Sequence, residues 1–153
     1  MKRNRDCIFC QIANRKIDAA IFWEDENYMA LLDNKPSTPG MSLVITKQHF
    51  KSDISEIADI DYTNLMLAVK KVIKTLKKGL SVKRVGIAIE GLEVNHAHVK
   101  LYPLYGLKSS FVKIVTDDIS YWPKYRGFIS TKFGPNADVE DLRKLADKLS
   151  KVK

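Results

Sequence analysis

Apolar and polar positions follow two periods along this chain. Near the N-terminus the apolar runs are short and divided by polar turns. "AAIFWED" and "YMALLD" read as two strands joined through "EDEN", a hairpin signal, and "SLVITK" reads as a third strand. Between the second and third, "NKPSTPG" packs two prolines and a glycine into seven residues, so a loop is expected there. The period then lengthens. Over residues 61–78, Tyr62, Leu65, Val69, Val72, Ile73 and Leu76 recur at three- and four-residue steps, predicting a helix with one buried stripe that Gly79 closes. Asp53 or Ser55 is expected to cap a short turn before it. "RVGIAIEG" returns to a buried strand, with "VNHAHVKLYP" as its neighbour, stopped by Pro103. "ADVEDLRKLADKLSKVK" predicts a closing helix capped by Asp138, with Leu142, Leu145, Ala146 and Leu149 as its apolar stripe. "CIFCQIAN" predicts a short helical turn at the start. "LKSSFVKIVTDDISYWPKYRG" shows neither period and is open to two readings, a surface loop or an excursion to a partner. Strands first, a long helix, then a hairpin form an α+β pattern built on an antiparallel sheet.

Composition narrows the class without choosing a function. The 153 residues suit one domain spanning the whole chain, and 45% hydrophobic with 29% charged residues is ordinary for a globular protein. No apolar run approaches the ~20 residues that cross a bilayer, and "MKRNRDCIFC" lacks the apolar core of a secretory signal. A cytoplasmic, membrane-free protein is expected. The net charge of +8 favours anionic partners: nucleotides, nucleic acid or acidic surfaces. Much of the excess lies in runs such as "KKVIKTLKKG" and "KLSKVK", which read as solvated helical faces or as polyanion contacts.

The chemistry sits in two places. Both cysteines fall in "CIFC", a spacing that fits a metal half-site, a redox pair, or two small packed hydrophobes. The stretch "EGLEVNHAHVKLYP", residues 90–103, holds two of the three histidines. On a strand Val94, His96, His98, Lys100 and Tyr102 would share one face, with next-but-one side chains roughly 6.5–7 Å apart. A phosphate could touch two of them at once. Neutral imidazole is nucleophilic at pH 7 and can carry a covalent intermediate.

These blocks together resemble the histidine-triad (HIT) superfamily of nucleotide hydrolases and transferases. The resemblance covers roughly residues 7–104 and rests on "CIFCQI", "IFWEDENYMALLDNKPSTPGMSLVITKQH" and "GLEVNHAHVKLYP"; "GFISTKFGPNADVEDL" is a softer match to the tail of some bacterial-type members. It implies a HIT-like core over 7–104 with a C-terminal extension and helix over 105–153, and a homodimer. It implies that His98 is the nucleophile on an α-phosphate, that the His96 carbonyl holds the other ring nitrogen of His98, and that Asp33 binds the ribose hydroxyls. Phe22, Leu31 and Ile45 are then candidates for the base pocket, or simply core. In zinc-bearing members, histidines matching His49 and His96 complete the cysteine pair, so Cys7, Cys10, His49 and His96 are expected to form a closed structural zinc site. Trp122 matches C-terminal aromatics that reach a neighbouring subunit in some relatives, with local packing as the alternative.

The chain departs from the family pattern where the chemistry is done. Leu92 and Glu93 stand where a Gln and a Ser or Thr are usual, and Met41 replaces a common His. The Gly-containing loop and asparagine that usually precede the motif are missing. Lys100 replaces the third histidine, leaving three roles open: a phosphate contact, an ion pair with Glu93, or a solvated lysine. A carboxylate at Glu93 would repel phosphate unless it is neutralised or turned away. The expectation is a hydrolase or nucleotidyl transferase acting on a nucleoside phosphoramidate or a dinucleotide or nucleoside polyphosphate through a nucleotidyl-His98 intermediate, with a purine nucleotide as ligand. A nucleotide-binding scaffold with little turnover and a nucleic-acid end processor, which would use the +8 charge and the first five residues, are the alternatives.

Overall fold

The computed structural model describes residues 6–152. The basic first five residues, expected to hold a nucleic-acid backbone under one of those alternatives, lie outside the described residues. Contacts through space divide the chain into a unit ending at Phe111 and a unit beginning at Val112.

The first unit holds α1 (Ile8–Ala13), β1 (Ile21–Glu24), β2 (Tyr28–Leu32), β3 (Ser42–Thr46), α2 (Asp59–Gly79), β4 (Arg84–Ala88) and β5 (His98–Leu104). The strands form one antiparallel sheet in the order β1-β2-β3-β5-β4. This is the α+β arrangement on an antiparallel sheet that the sequence predicts. Asp25 makes the β1–β2 turn by accepting from the backbone of Asn27 and Tyr28 with one carboxylate oxygen.

Alternation along each strand sorts the apolar residues onto two faces. Tyr28, Ala30, Val44, Val99 and Leu101 meet Leu65, Ala68, Val69, Val72 and Leu76 of α2. Burying each large side chain in that layer stabilises the fold by about 1.5–3 kcal/mol. Met29, Leu31, Leu43 and Ile45 face the other way and are covered by Cys7, Phe9, Cys10 and Ile12 of the N-terminal segment. His98 and Lys100 therefore open onto the side that α1 only partly covers.

Four local expectations are corrected. Tyr62 is 41% exposed and lies outside the buried stripe of α2, where Ala68 takes part instead. The turn after α2 is made by Ser81 in the left-handed region (φ 54°), not by Gly79. The last strand runs through Pro103 to Leu104. Pro103 is tolerated because β3 has ended its pairing at Leu101, so no neighbouring carbonyl awaits an N–H there; its own carbonyl takes the Thr38 hydroxyl. The same strand begins only at His98, since residues 94–97 turn and His96 N donates to Val94 O.

The second unit contains α3 (Val139–Leu149), whose Asp138 cap accepts from Glu140 N and Asp141 N. None of its described residues is buried, and Leu142, Leu145 and Leu149 of the expected stripe are more than half exposed. Trp122 stacks edge-on against Phe128, 5.3 Å between ring centres.

Candidate functional site

Three segments far apart in sequence deliver a cluster of four ligand-type side chains: Cys7 and Cys10 around the start of α1, His49 just past β3, and His96 just before β5. Their ligand atoms all lie within 4.8 Å of one another. Cys7 Sγ and Cys10 Sγ lie 3.3 and 3.6 Å from His96 Nδ1, and Cys10 Sγ lies 3.3 Å from His49 Nδ1. A tetrahedral zinc with Zn–N of about 2.0 Å and Zn–S of about 2.3 Å would set such ligand pairs about 3.4–3.8 Å apart. The donor set and the spacing both fit that ion.

The tautomer of His96 fits it as well. Nε2 lies 2.8 Å from the Thr46 carbonyl and 3.0 Å from the Thr46 hydroxyl, and that hydroxyl donates to Gln48 O at 2.6 Å. Nε2 thus carries the hydrogen and donates it, which leaves the Nδ1 lone pair toward the sulfurs, the outer-sphere arrangement typical of ligating histidines. Burial, the largest influence, pushes the pKa of His96 down to about 4; the bond to Thr46 opposes it, and His49 and His98 add to the fall. His96 is neutral at pH 7, as a ligand must be. Cys7 and Cys10 are 8% and 1% exposed, too enclosed for thiol exchange with an outside partner, which disfavours the redox reading of "CIFC".

His98 opens a second, adjoining site. Its Nδ1 lies 2.7 Å from the His96 carbonyl and donates to it, which leaves Nε2 as the nitrogen with the lone pair. Burial lowers its pKa; the bond to His96 O and the charges of Glu93 and Glu90 oppose this, while Lys100 adds to it. Phe9 meets the His98 ring edge-on, with centres 5.2 Å apart. His98 lines a pocket of about 290 Å³ whose apolar wall is Ile8, Phe9, Met41, Leu43 and Val94. Asp33, Asn34, Lys35, Glu93 and Lys100 supply its polar side. Asp33 closes a turn by accepting from Lys35 N with one oxygen; the other has no hydrogen-bond partner among the described residues.

Lys100 occupies the next outward position on β5. Its Nζ lies 2.5 Å from Glu90 Oε1 and 3.7 Å from Glu93 Oε2. The Lys100 and Glu90 side chains are both 12% exposed, whereas Glu93 is open to solvent. Burial alone would depress the lysine pKa, but the bond to Glu90 and the neighbouring negative charges outweigh it and raise the value above the usual one. Of the three roles left open for this lysine, the ion pair is present. Its main partner is Glu90, which the sequence reading did not single out.

The structure thus brings Asp33, Glu93, His98 and Lys100 to one pocket and Cys7, Cys10, His49 and His96 to one cluster. It does not bring the three expected pocket hydrophobes. Phe22 packs against the α2 side of the sheet, and Leu31 and Ile45 lie in the buried layer under α1. The walls that were missed, Phe9 and Leu43, carried a usable signal. Leu43 has the parity of Ile45, and Phe9 sits inside "CIFC" itself.

The family model described as "HIT domain" matches residues 14–106. The chain belongs to the HIT family. An uncharacterised HIT-like protein of Methanocaldococcus jannaschii is 36% identical over 111 residues, covering 70% of this chain and 85% of that one. The adenosine 5'-monophosphoramidase of Saccharomyces cerevisiae is 31% identical over 107 residues, covering 69% and 67%. Among solved structures, a protein of Streptococcus mutans superposes with a TM-score of 0.70 at 27% identity, over 97% of this chain and 85% of that one. A zinc-bound histidine-triad protein of Mycobacterium smegmatis gives 0.57 at 30% identity, over 69% and 81%. Named hydrolases stand among this HIT protein's relatives and structural neighbours. No helix of its described residues is long and apolar enough to cross a membrane.

Proposed function

We propose that this HIT protein hydrolyses a phosphate conjugate of a purine nucleoside, a phosphoramidate or a polyphosphate, through a nucleotidyl-histidine at His98. The observation that carries the reading is the His98 ring: its Nδ1–H is committed to the His96 carbonyl, and its other nitrogen is free beside a pocket with Asp33 and Lys100 on its polar side. In the first step Nε2 forms a bond to the α-phosphorus and the bond to the leaving group breaks. In the second, water attacks the same phosphorus, its proton passes to solvent, and His98 regains its lone pair. Dividing the reaction in this way replaces one hard displacement by two easier ones. Asp33 would accept from the ribose hydroxyls with its unengaged oxygen, and Phe9 and Leu43 would take the apolar contacts expected of Phe22, Leu31 and Ile45. The yeast relative named as an adenosine 5'-monophosphoramidase supports adenosine as the nucleoside.

Cys7, Cys10, His49 and His96 would hold a zinc ion with all four positions filled by protein. Such an ion supplies cross-linking and no open position for substrate. A homodimer, which the family resemblance implies, belongs to the same reading.

Mixing the protein with adenosine 5'-phosphoramidate, and separately with a diadenosine polyphosphate, tests the mechanism. Intact mass after a rapid alkaline denaturing quench, which preserves the acid-labile P–N bond, should show one adenylyl group per chain in the wild type and none in His98→Ala, whose turnover should fall by roughly 10³-fold or more. Turnover that survives in His98→Ala sinks the mechanism, and nucleotide binding without adduct or turnover points to a scaffold. Native mass spectrometry on the unquenched protein reads the dimer as twice the chain mass.

A further inference from the structure

A second concave surface lies away from His98. It is a groove of about 770 Å³ between the last turns of α2, the start of β4 and residues 108–111, and it shares no lining residue with the His98 pocket. Arg84, in its wall, pairs with Leu104, six residues along β5 from His98, which is about 20 Å along an extended strand. Helix α2 also packs on the opposite face of the sheet from His98. Whatever the groove holds is not in the reach of that histidine.

The lining is of one sign. Lys74, Lys77, Lys78, Lys83, Arg84 and Lys108 all face it, together with Val82, Ser109, Ser110 and Phe111, and no carboxylate does. Several cations elsewhere have carboxylate partners, Arg15 and Lys47 with Glu24, Lys51 with Glu56, Lys71 with Asp25 and Lys100 with Glu90, while among the described residues Lys16, Lys35 and Lys70 stand singly. Among the described residues none of the six groove cations has a carboxylate partner. Lysines near a helix C-terminus complement the helix dipole, which accounts for Lys77 and Lys78. It does not account for Lys83, Arg84 and Lys108, which come from other elements. Gathering six cations without a counter-charge costs repulsion that a bound polyanion would relieve.

One further feature selects among polyanions. Phe111 is 79% exposed, and the Arg84 guanidinium lies over its ring at 5.5 Å from the centre. An exposed aromatic ring beside a row of cations is the arrangement that single-stranded nucleic acids use, bases stacking on the ring while phosphates follow the charges. We propose that this groove binds single-stranded nucleic acid, with Lys77, Lys78, Lys83 and Lys108 on phosphates and Phe111 with Arg84 as a stacking platform. This site is independent of the chemistry at His98.

Fluorescence anisotropy of the full-length protein with a labelled oligo(dT) and oligo(U) tests it. If about four cations meet phosphates, log K should fall with log salt with a slope near −3, roughly a 50-fold loss between 50 and 200 mM. Lys77→Ala/Lys83→Ala should shallow the slope by about 1.4, whereas Lys16→Ala/Lys51→Ala, outside the groove, should leave it unchanged. Phe111→Ala should weaken binding about five- to 150-fold at unchanged slope, and His98→Ala should bind as wild type. Absence of binding at 50 mM salt overturns the proposal, as does an equal change of slope in the two double variants. Equal competition by inorganic polyphosphate, with no effect of Phe111→Ala, would also overturn it, because the groove would then take a phosphate chain without bases.

Discussion

At Lys100 two carboxylates converge from the loop after β4, and the lysine is held against the nearer one, Glu90. With its pKa raised, the ammonium keeps its proton throughout the neutral range. Under the proposed function it would offer a departing group a charge, partly offset by Glu90, and no transferable proton, where a histidine would offer a proton. A phosphate or pyrophosphate leaves as a stable anion and gains from such a charge. An amine leaving a phosphoramidate must be protonated as the P–N bond breaks, and an acid with a pKa above that of an ordinary lysine is poorly matched to this. The polyphosphate branch of the proposed substrates is thus favoured. Lys100→His should raise kcat/KM for adenosine phosphoramidate relative to diadenosine polyphosphate by roughly tenfold, a tenth or less of the 10²–10⁴-fold that general acid catalysis can supply in full. An unchanged ratio in steady-state assays of both substrates would show that Lys100 does not act on the leaving group.

What holds Lys100 in this state is the β4–β5 connection, and Gly91 shapes it. Its φ is +70°, and a Cβ there would stand 2.7 Å from the Ser52 carbonyl oxygen. Only glycine meets both demands without strain. Gly91→Ala should cost about 2 kcal/mol, from the left-handed conformation and the backbone contact together, and lower Tm by about 4–8 °C. A thermal melt that moves by less than a degree would show that the loop re-forms freely. The same connection marks where the sequence stopped being legible. Strands, the long helix and the Asp138 cap were readable because alternation and capping are local. Once β4 and β5 are paired, the register Gly86–Tyr102 and Ala88–Lys100 carries Glu90 toward His98, but a single strand read alone points to Glu93. Phe22 was a pocket candidate through the family resemblance alone, with core as the alternative, and it packs against the core on the α2 side; the irregularity in β1 between Ile21 and Trp23 sets Trp23 opposite Ala30 on that same side. His96 left the strand face because residues 94–97 turn, and that turn aims it at the cysteines.

Across the whole first unit, the cysteine–histidine cluster has a task that no single element could perform. Helix α1 is six residues long and has no side-chain cap, far below the length at which a helix is stable alone. It is held by the burial of Phe9 and Ile12 and by its two cysteines, which meet partners 39 and 89 positions away. Because Ile8 and Phe9 of α1 also form part of the pocket wall, the proposed zinc would link stability to substrate binding. Native protein should contain about one zinc per chain by elemental analysis. Stripping it with a chelator should lower Tm by about 5–10 °C, the shift for losing a ligand present at about 100 times its Kd, roughly 2.7 kcal/mol. Cys10→Ala should show the same loss and become insensitive to the chelator. If the ion is structural, the metal-free protein below its melting point should still form the His98 adduct, with a raised KM and a nearly unchanged kcat, because the pocket wall has loosened while the nucleophile remains. A kcat that collapses with KM constant would instead place the metal in the chemistry, and a native protein free of zinc with a chelator-independent Tm would leave the cluster as four packed side chains.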